Sequence, residues 1–314
     1  MSIKLPKLIA TSVVRGSRQG ESHGGIYTVD FENQEGEQRV DWNSADIKWA
    51  GHGGDRGLRG ICFEGDEIYI AGSNELLVYD RDFNLLNSHR NRYLRHCHEI
   101  CCFERKIFLT STAFDSLLVF NLDTNDFDFG FHLQRPYEEW SGHTFDPRGG
   151  NGPRPVNDFQ LNMVHVDSHG IFFCGMNMEA LLYMTDKLRI NEVCSLPKGT
   201  NNARPWNDGV IFIDSDKDCV RYAGRDGRQQ VFRLPTVDAS LLESDGVSDP
   251  GVARQAFGRG LCPIGDRFLA AGSSPSTITL YDLEADMPVG SVNLSMDIRN
   301  AIHGLEVWPY DDRD

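Results

Sequence analysis

"RGICFEGDEIYIAGSNELLVYD", residues 59–80, returns near the other end of the chain as "RGLCPIGDRFLAAGSSPSTITLYD", residues 259–282. Both run Arg-Gly-aliphatic-Cys, then a Gly-Asp turn, an apolar strand ending Ala-Gly-Ser, and a strand ending Tyr-Asp. Between them, "HEICCFERKIFLTSTAFDSLLVFN" (98–121) and "NMVHVDSHGIFFCGMNMEALLYMTD" (162–186) fit the same frame. "NARPWNDGVIFIDSDKDCVRY" (202–222) fits once one residue is dropped. Each unit reads as short strands joined by Gly/Asp/Asn turns and closed by a weaker outer strand such as "VFRL" or "SVNL". A period of roughly 40 residues carrying four strands is that of a propeller blade. No amphipathic helix of ten residues interrupts the pattern.

The chain ends supply a sixth unit. "HGLEVWP" (303–309) matches a first strand, and "KLIATSVV", "GGIYTVDF" and "QRVDW" near the N-terminus match the strands that should follow it. A blade built from both ends removes two exposed sheet edges. The sequence therefore predicts an all-β, six-bladed β-propeller closed by a composite blade, as one domain spanning 1–314. Blades are expected at about 59–94, 95–134, 160–196, 200–235, 258–297, and 303–309 with 7–43. A seventh blade would need strands inside 128–160, a polar segment rich in Pro and Gly.

The alignment creates a column. The residue opening each innermost strand is Arg59, His98, Asn162, Asn202, Arg259 or His303, with Asn201 an equal alternative in the fourth unit. Two positions on stand Ile61, Ile100, Val164, Leu261 and Leu305, as a packed blade requires. Polar residues can line a propeller channel because water fills it. Two histidines and two asparagines at one height are also what a hard-to-borderline divalent metal uses. His98, His303, Asn162 and Asn202 are thus the candidate metal ligands, with Ca, Fe, Zn or Mn as the ion. In "RHCHEICC" (95–102), His96 lies in the preceding loop. Strand alternation sends Cys97, Glu99 and Cys101 away from His98 toward a neighbouring blade. His96 and Glu99 remain acid/base candidates.

Repeat and column together resemble the six-bladed, calcium-dependent lactonases of the gluconolactonase/regucalcin class. That resemblance implies a divalent metal held by Glu, Asn and Asp at the starts of the inner strands, with a further Asn on substrate. Asn162 and Asn202 match, whereas His98, His303 and the two arginines depart from the pattern. The pair of histidines also resembles the iron-binding propellers of carotenoid oxygenases, which have four. The nearest likeness in blade openings is to uncharacterised bacterial propeller proteins. "NDG" at 207–209 falls by register at a turn into a second strand.

Excess length falls in three connections, 44–57, 128–160 and 236–257, expected as long loops on the face carrying the column. The first holds His52. The second holds His132, Tyr137, Trp140, His143, Arg148 and Arg154, of which His143 is a further acid/base candidate. Arg59, Arg259 and His52 are the candidate substrate-binding residues, the arginines suiting a carboxylate.

The bulk numbers narrow the partners. With 46 acidic against 31 basic residues among 314, the net charge of −15 argues against a general nucleic-acid or anionic-membrane binder. No apolar run is long enough to span a bilayer, and the first residues lack a signal-peptide core, so a cytoplasmic protein is expected. None of the eight cysteines forms a CxxC pair, and several sit in apolar strands, which reads as buried free thiols in a reducing compartment. The functional expectation is a metal-dependent hydrolase or lyase acting on a small anionic molecule. The alternatives are a non-catalytic scaffold or ligand-binding module, and an iron-dependent oxygenase. Oligomeric state stays open.

Overall fold

In a computed structural model of the chain, residues 5–43, 56–243, 251 and 253–310 are described. Six antiparallel sheets make a six-bladed β-propeller. The chain divides into two compact units, residues 59–229 and residues 1–58 with 230–314. Each is taken by itself.

The larger unit holds four blades. The first is Ile61–Glu64, Glu67–Ala71, Glu75–Tyr79 and Leu85–Arg90; the third is Leu161–Asp167, Gly170–Gly175, Ala180–Met184 and Ile190–Ser195. The fourth has Thr200–Trp206, Gly209–Asp214 and Cys219–Gly224 within this unit. The second blade has five strands, Ile100–Phe103, Lys106–Ser111, Ser116–Asn121, Asp126–Gln134 and Ser141–Phe145. The burial pattern explains the order: middle strands such as Ser116–Asn121 are buried on both faces, while outer strands such as Leu85–Arg90 face solvent along most of their length.

The fifth strand corrects one expectation. Much of 128–160 is a hairpin rather than a loop, with Gly130 opposite Phe145 and His132 opposite His143. Two glycines make this possible. A Cβ on Gly130 would meet the Phe145 ring, and one on Gly142 the Phe131 ring, both at 2.4 Å, so each aromatic lies where a side chain would otherwise stand. Trp140 then packs edge-on against Phe159, their ring centres 5.2 Å apart, and both rings join the core between the second and third blades.

The smaller unit holds the fifth blade (Arg259–Ile264, Phe268–Ser273, Thr277–Asp282, Met287–Asn293) and the composite blade. In the latter, Asn300–Val307 pairs antiparallel with Leu8–Val14, followed by Gly25–Asp30 and Glu35–Asp41. The ends meet as the repeat predicts. One apolar cluster, including Leu8, Val29, Cys262, Leu280, Ile302 and Leu305, packs the two blades.

Candidate functional site

Every first strand carries an irregularity on the aligned column. The register shifts between Leu161 and Met163, between Asn201 and Arg204, between Arg259 and Leu261, and between Ala10 and Ser12 opposite Leu305 and Ile302. In the first blade Arg59 N–H donates to the Ala71 carbonyl while Ala71 N–H donates to Gly60, so two residues oppose one. In the second, the backbone N–H groups of His98 and Glu99 both donate to Thr110 Oγ1 at 3.0 Å. These are β-bulges, which re-aim side chains at sheet ends.

The bulge overturns the expected direction of Glu99. Simple alternation sends it to a neighbouring blade, yet its Oε2 accepts from Asn202 Nδ2, two blades on, at 2.9 Å. The extra residue breaks the two-residue period just where the column begins. The same effect resolves the fourth-blade ambiguity, because both asparagines are used. Asn201 Oδ1 accepts from Asn162 Nδ2 at 2.7 Å, and Asn201 Nδ2 donates to Ser215 Oγ at 2.8 Å and to the Gly199 carbonyl at 3.0 Å. Asn202 adopts a left-handed φ of 53°, which asparagine tolerates better than most residues. Cys101 does face a neighbouring blade, where Val166 N–H donates to its sulfur at 3.3 Å.

Within residues 59–229, then, two polar pairs, Glu99 with Asn202 and Asn162 with Asn201, meet through the chain neighbours Asn201 and Asn202 to make a polar cluster. Its supports are short polar side chains on the second blade. Thr112 Oγ1 donates to the Leu161 carbonyl at 2.5 Å. The buried Asp115 carboxylate accepts from the N–H groups of Asp158, Phe159 and Leu161, fixing the approach to Asn162. Burial raises the Asp115 pKa, and those three bonds oppose the rise. Asp115 was not singled out from the sequence; the hydroxyl run Thr110-Ser111-Thr112 ahead of it was the available signal.

Arg59 is 1% exposed at the start of the first blade, and His98 is half-buried beside Glu99. The charges of Arg59 and Glu99 both act on the Cys97 thiol, in opposite directions, but burial dominates and pushes it up to about 12. Burial likewise pushes Cys174, beside Asn162, up to about 12. Both thiols therefore stay protonated and are poor nucleophiles. All eight cysteines are free, as the sequence suggested. His96 stands in the loop before the second blade, where its N–H donates to Asn74 Oδ1 at 3.2 Å.

His143 belongs elsewhere. It lies on the fifth strand, at the opposite edge of the sheet from Ile100–Phe103. Four inter-strand spacings make that roughly 19 Å, so it shares no site with Glu99. His52 and most of 44–57 lie outside the described residues, as does part of 236–257.

In the smaller unit, Arg259 is buried and its guanidinium carbon stands 4.2 Å from the Phe257 ring centre. Arg15 stands over the same ring at 4.2 Å and Arg254 at 5.6 Å. His303 is buried on the adjacent strand, and Gly260, with φ 71°, comes so close that a Cβ would lie 2.9 Å from the His303 carbonyl oxygen.

A separate cleft of about 870 Å³ opens between the third and fourth blades. Phe172, Tyr183, Trp206 and Tyr222 line it with Arg221 and Arg225. Trp206 ends the strand that Asn201 and Asn202 begin, and neither asparagine lines the cleft. Asn207 and Asp208 form the turn expected of "NDG".

No protein-family model matches the chain, and no curated protein matches it by sequence. Its fold is similar to a chain of a nidogen/laminin complex, with TM-score 0.59, 10% identity, and 96% and 97% of the two chains covered. A protein of unknown function from Bacteroides caccae gives TM-score 0.57 at 12% identity, covering 96% and 98%. Virginiamycin B lyase from Staphylococcus aureus, solved as an inactive variant with quinupristin, gives 0.46 at 13%, covering 79% and 72%. At such identities the likeness shows the fold alone. Among the described residues, no helix is long and apolar enough to cross a membrane.

Proposed function

We propose that the polar cluster of residues 59–229 binds a hard divalent cation and serves a metal-dependent hydrolase or lyase acting on a small anionic molecule. One observation supports the reading: a carboxylate, Glu99, meets an asparagine amide from another inner strand start, with its Oε2 2.9 Å from Asn202 Nδ2. A half-turn of that amide about χ2 puts an oxygen in the nitrogen's place. Two oxygens at such a separation suit neighbours around an ion with ligand distances of about 2.3–2.6 Å. The residues fit such an ion: Glu99, Asn162 and Asn202 supply oxygens, with His98 beside them. The Glu and Asn ligands implied by the resemblance to the gluconolactonase/regucalcin class are both present here, the Asp is not, and Glu99 takes the place of His303 in our reading of the ligand set.

When bound, the cation would supply Lewis acidity toward a substrate oxygen. The protein's own contribution is placement. Thr110 holds the His98–Glu99 backbone, Asp115 holds the segment leading to Asn162, and the Asn162–Asn201–Ser215 chain fixes the amides. Arg59 supplies a buried cation for the substrate's carboxylate or phosphate. With both nearby thiols protonated, acid/base work falls to His96 or His98 rather than to cysteine.

The test pairs metal binding with turnover. Protein dialysed against equimolar Ca, Mn, Fe and Zn should retain one equivalent of a hard ion. Turnover of a panel of lactones and anionic esters should depend on that ion. Glu99→Gln should lose both. Metal occupancy and turnover unchanged in Glu99→Gln would refute the reading.

The aromatic cleft between the third and fourth blades supports a second reading, a non-catalytic ligand-binding module. Its volume lies within the range of about 300–1,000 Å³ found for small-molecule sites. A protein without bound metal or turnover, but binding aromatic anions there, would favour that reading.

A further inference from the structure

The fifth strand of the second blade places His143 directly opposite His132 on the adjoining strand, with ring centres 5.2 Å apart and planes inclined by 70°. The His132 ring nitrogen Nδ1 lies 2.9 Å from the Phe114 carbonyl and 3.3 Å from Ser116 Oγ. A carbonyl can only accept, so Nδ1 carries the proton and Nε2 presents its lone pair. A backbone carbonyl on the far nitrogen is the arrangement that orients metal-bound histidines. A tetrahedral ion holding two imidazoles at about 2.0–2.1 Å sets their ring centres roughly 5 Å apart. His132 also lines a cleft of about 560 Å³ together with Gln134, Glu138 and Asp158, and His143 is exposed, so water can complete the coordination.

We propose that His132 and His143 form a two-histidine site for a borderline divalent transition ion, Zn²⁺ or Cu²⁺, with water in its remaining positions. Imidazole pairs select such ions over calcium or magnesium. No group of three or more His, Cys, Asp or Glu able to hold a metal occurs among the described residues, so the site is open-coordinated rather than a closed structural centre. Burial lowers the His132 pKa, and the Phe114 bond opposes this while His143 reinforces it. The ion would pin the outermost strand to the rest of its blade. This inference stands independently of the function proposed above.

The experiment uses tag-free, full-length protein. Zn²⁺ is titrated by calorimetry, and Cu²⁺ is followed by electron spin-echo spectroscopy, which counts bound imidazoles. Wild type should take up one equivalent with two imidazole nitrogens and melt at a higher temperature with Zn²⁺ present. His143→Gln alters an exposed side chain and should fold normally. It should bind about tenfold more weakly or worse, through one imidazole. Glu99→Gln should leave Zn²⁺ binding unchanged, which separates this site from the inner cluster. Wild type that binds no Zn²⁺, or His143→Gln that binds it as tightly, would overturn the proposal. So would a wild-type Cu²⁺ spectrum with only one imidazole.

Discussion

Two parts of one blade assemble donor atoms in opposite ways. At the start of its first strand, Glu99 accepts from Asn202 of the fourth blade, and the Asn162–Asn201 pair stands next to it in the chain. At its last strand, two imidazoles face each other across a single ladder, one buried and one in solvent. The first depends on three blades holding register, and its supports, Thr110 and Asp115, are themselves buried. The second needs only one hairpin. The difference teaches where selectivity comes from. A hard cation needs several oxygens converging from separate elements, whereas a borderline ion is captured by two nitrogens that any antiparallel pair can align.

The largest effect should come from treating 132–152 as dispensable. A surface loop can be replaced by a short Gly/Ser linker at little cost, because closure entropy varies slowly with length. Here the replacement removes the fifth strand, strips the Phe145 ring from Gly130, and takes Trp140 from the core shared with the third blade. We expect aggregation or a non-cooperative melt. A linker variant that melts like wild type would show that the hairpin contributes nothing to the blade, and the contrast between the two regions would lose its structural basis.

The next test crosses the two regions by metal. Glu99→Gln should weaken calcium or manganese binding by tenfold to more than a hundredfold, the usual consequence of losing a charged partner worth about 1.5–3 kcal/mol. His143→Gln should leave that binding unchanged. A variant that lost both classes of metal would mean that the regions are coupled, contrary to their positions at opposite edges of the sheet.

How much of this could be read from the chain depends on whether a residue obeys the repeat. The inner strands, the composite blade and the column positions follow from aligned apolar runs, and Ile61, Ile100, Val164, Leu261 and Leu305 are all buried as the frame requires. Glu99 escaped because a bulge inserts one residue into a two-residue period, and only the hydrogen bonds of Thr110 reveal the bulge. Asn201 and Asn202 were interchangeable for the same reason. The hairpin escaped because Gly130 and Gly142 read as loop residues, while the Phe145 and Phe131 rings that cover them are distant by pattern. His143 was therefore assigned to the wrong edge of its blade. Arg59 was legible as a column member, but its burial was not.

A smaller effect isolates the bulge itself. Thr110→Val keeps the shape and removes the hydroxyl that accepts from both His98 and Glu99 N–H. Leaving buried donors without an acceptor costs about 1–3 kcal/mol. Urea unfolding should report that loss, and hard-cation binding should weaken because Glu99 is no longer held. Zn²⁺ binding at the hairpin should be unaffected. Stability falling with calcium binding intact would show that the bulge serves the fold and not the cluster.

The smallest effect is a pH dependence at the hairpin. Burial holds the His132 pKa below the ordinary 6.5, with the Phe114 carbonyl opposing and His143 reinforcing. In the window between the lowered folded value and 6.5, the unfolded chain binds more protons than the folded one. Stability must therefore rise with pH across that window, and acidification removes it once pH falls below about 6.5. His132→Gln keeps a donor for Phe114 but has no titrating group. Its unfolding free energy, measured in urea between pH 7.5 and 5, should fall less steeply than that of wild type. His165 titrates in the same direction, held at about 4 chiefly by burial and next by Arg204, so both proteins retain some acid sensitivity. The informative quantity is the difference in slope. If the two slopes coincide, His132 gains no protons on unfolding in this range, and its neutral, metal-ready state has no energetic signature. If the difference appears and Zn²⁺ steepens the wild-type slope alone, proton and metal compete for the same nitrogen, as a two-histidine site requires.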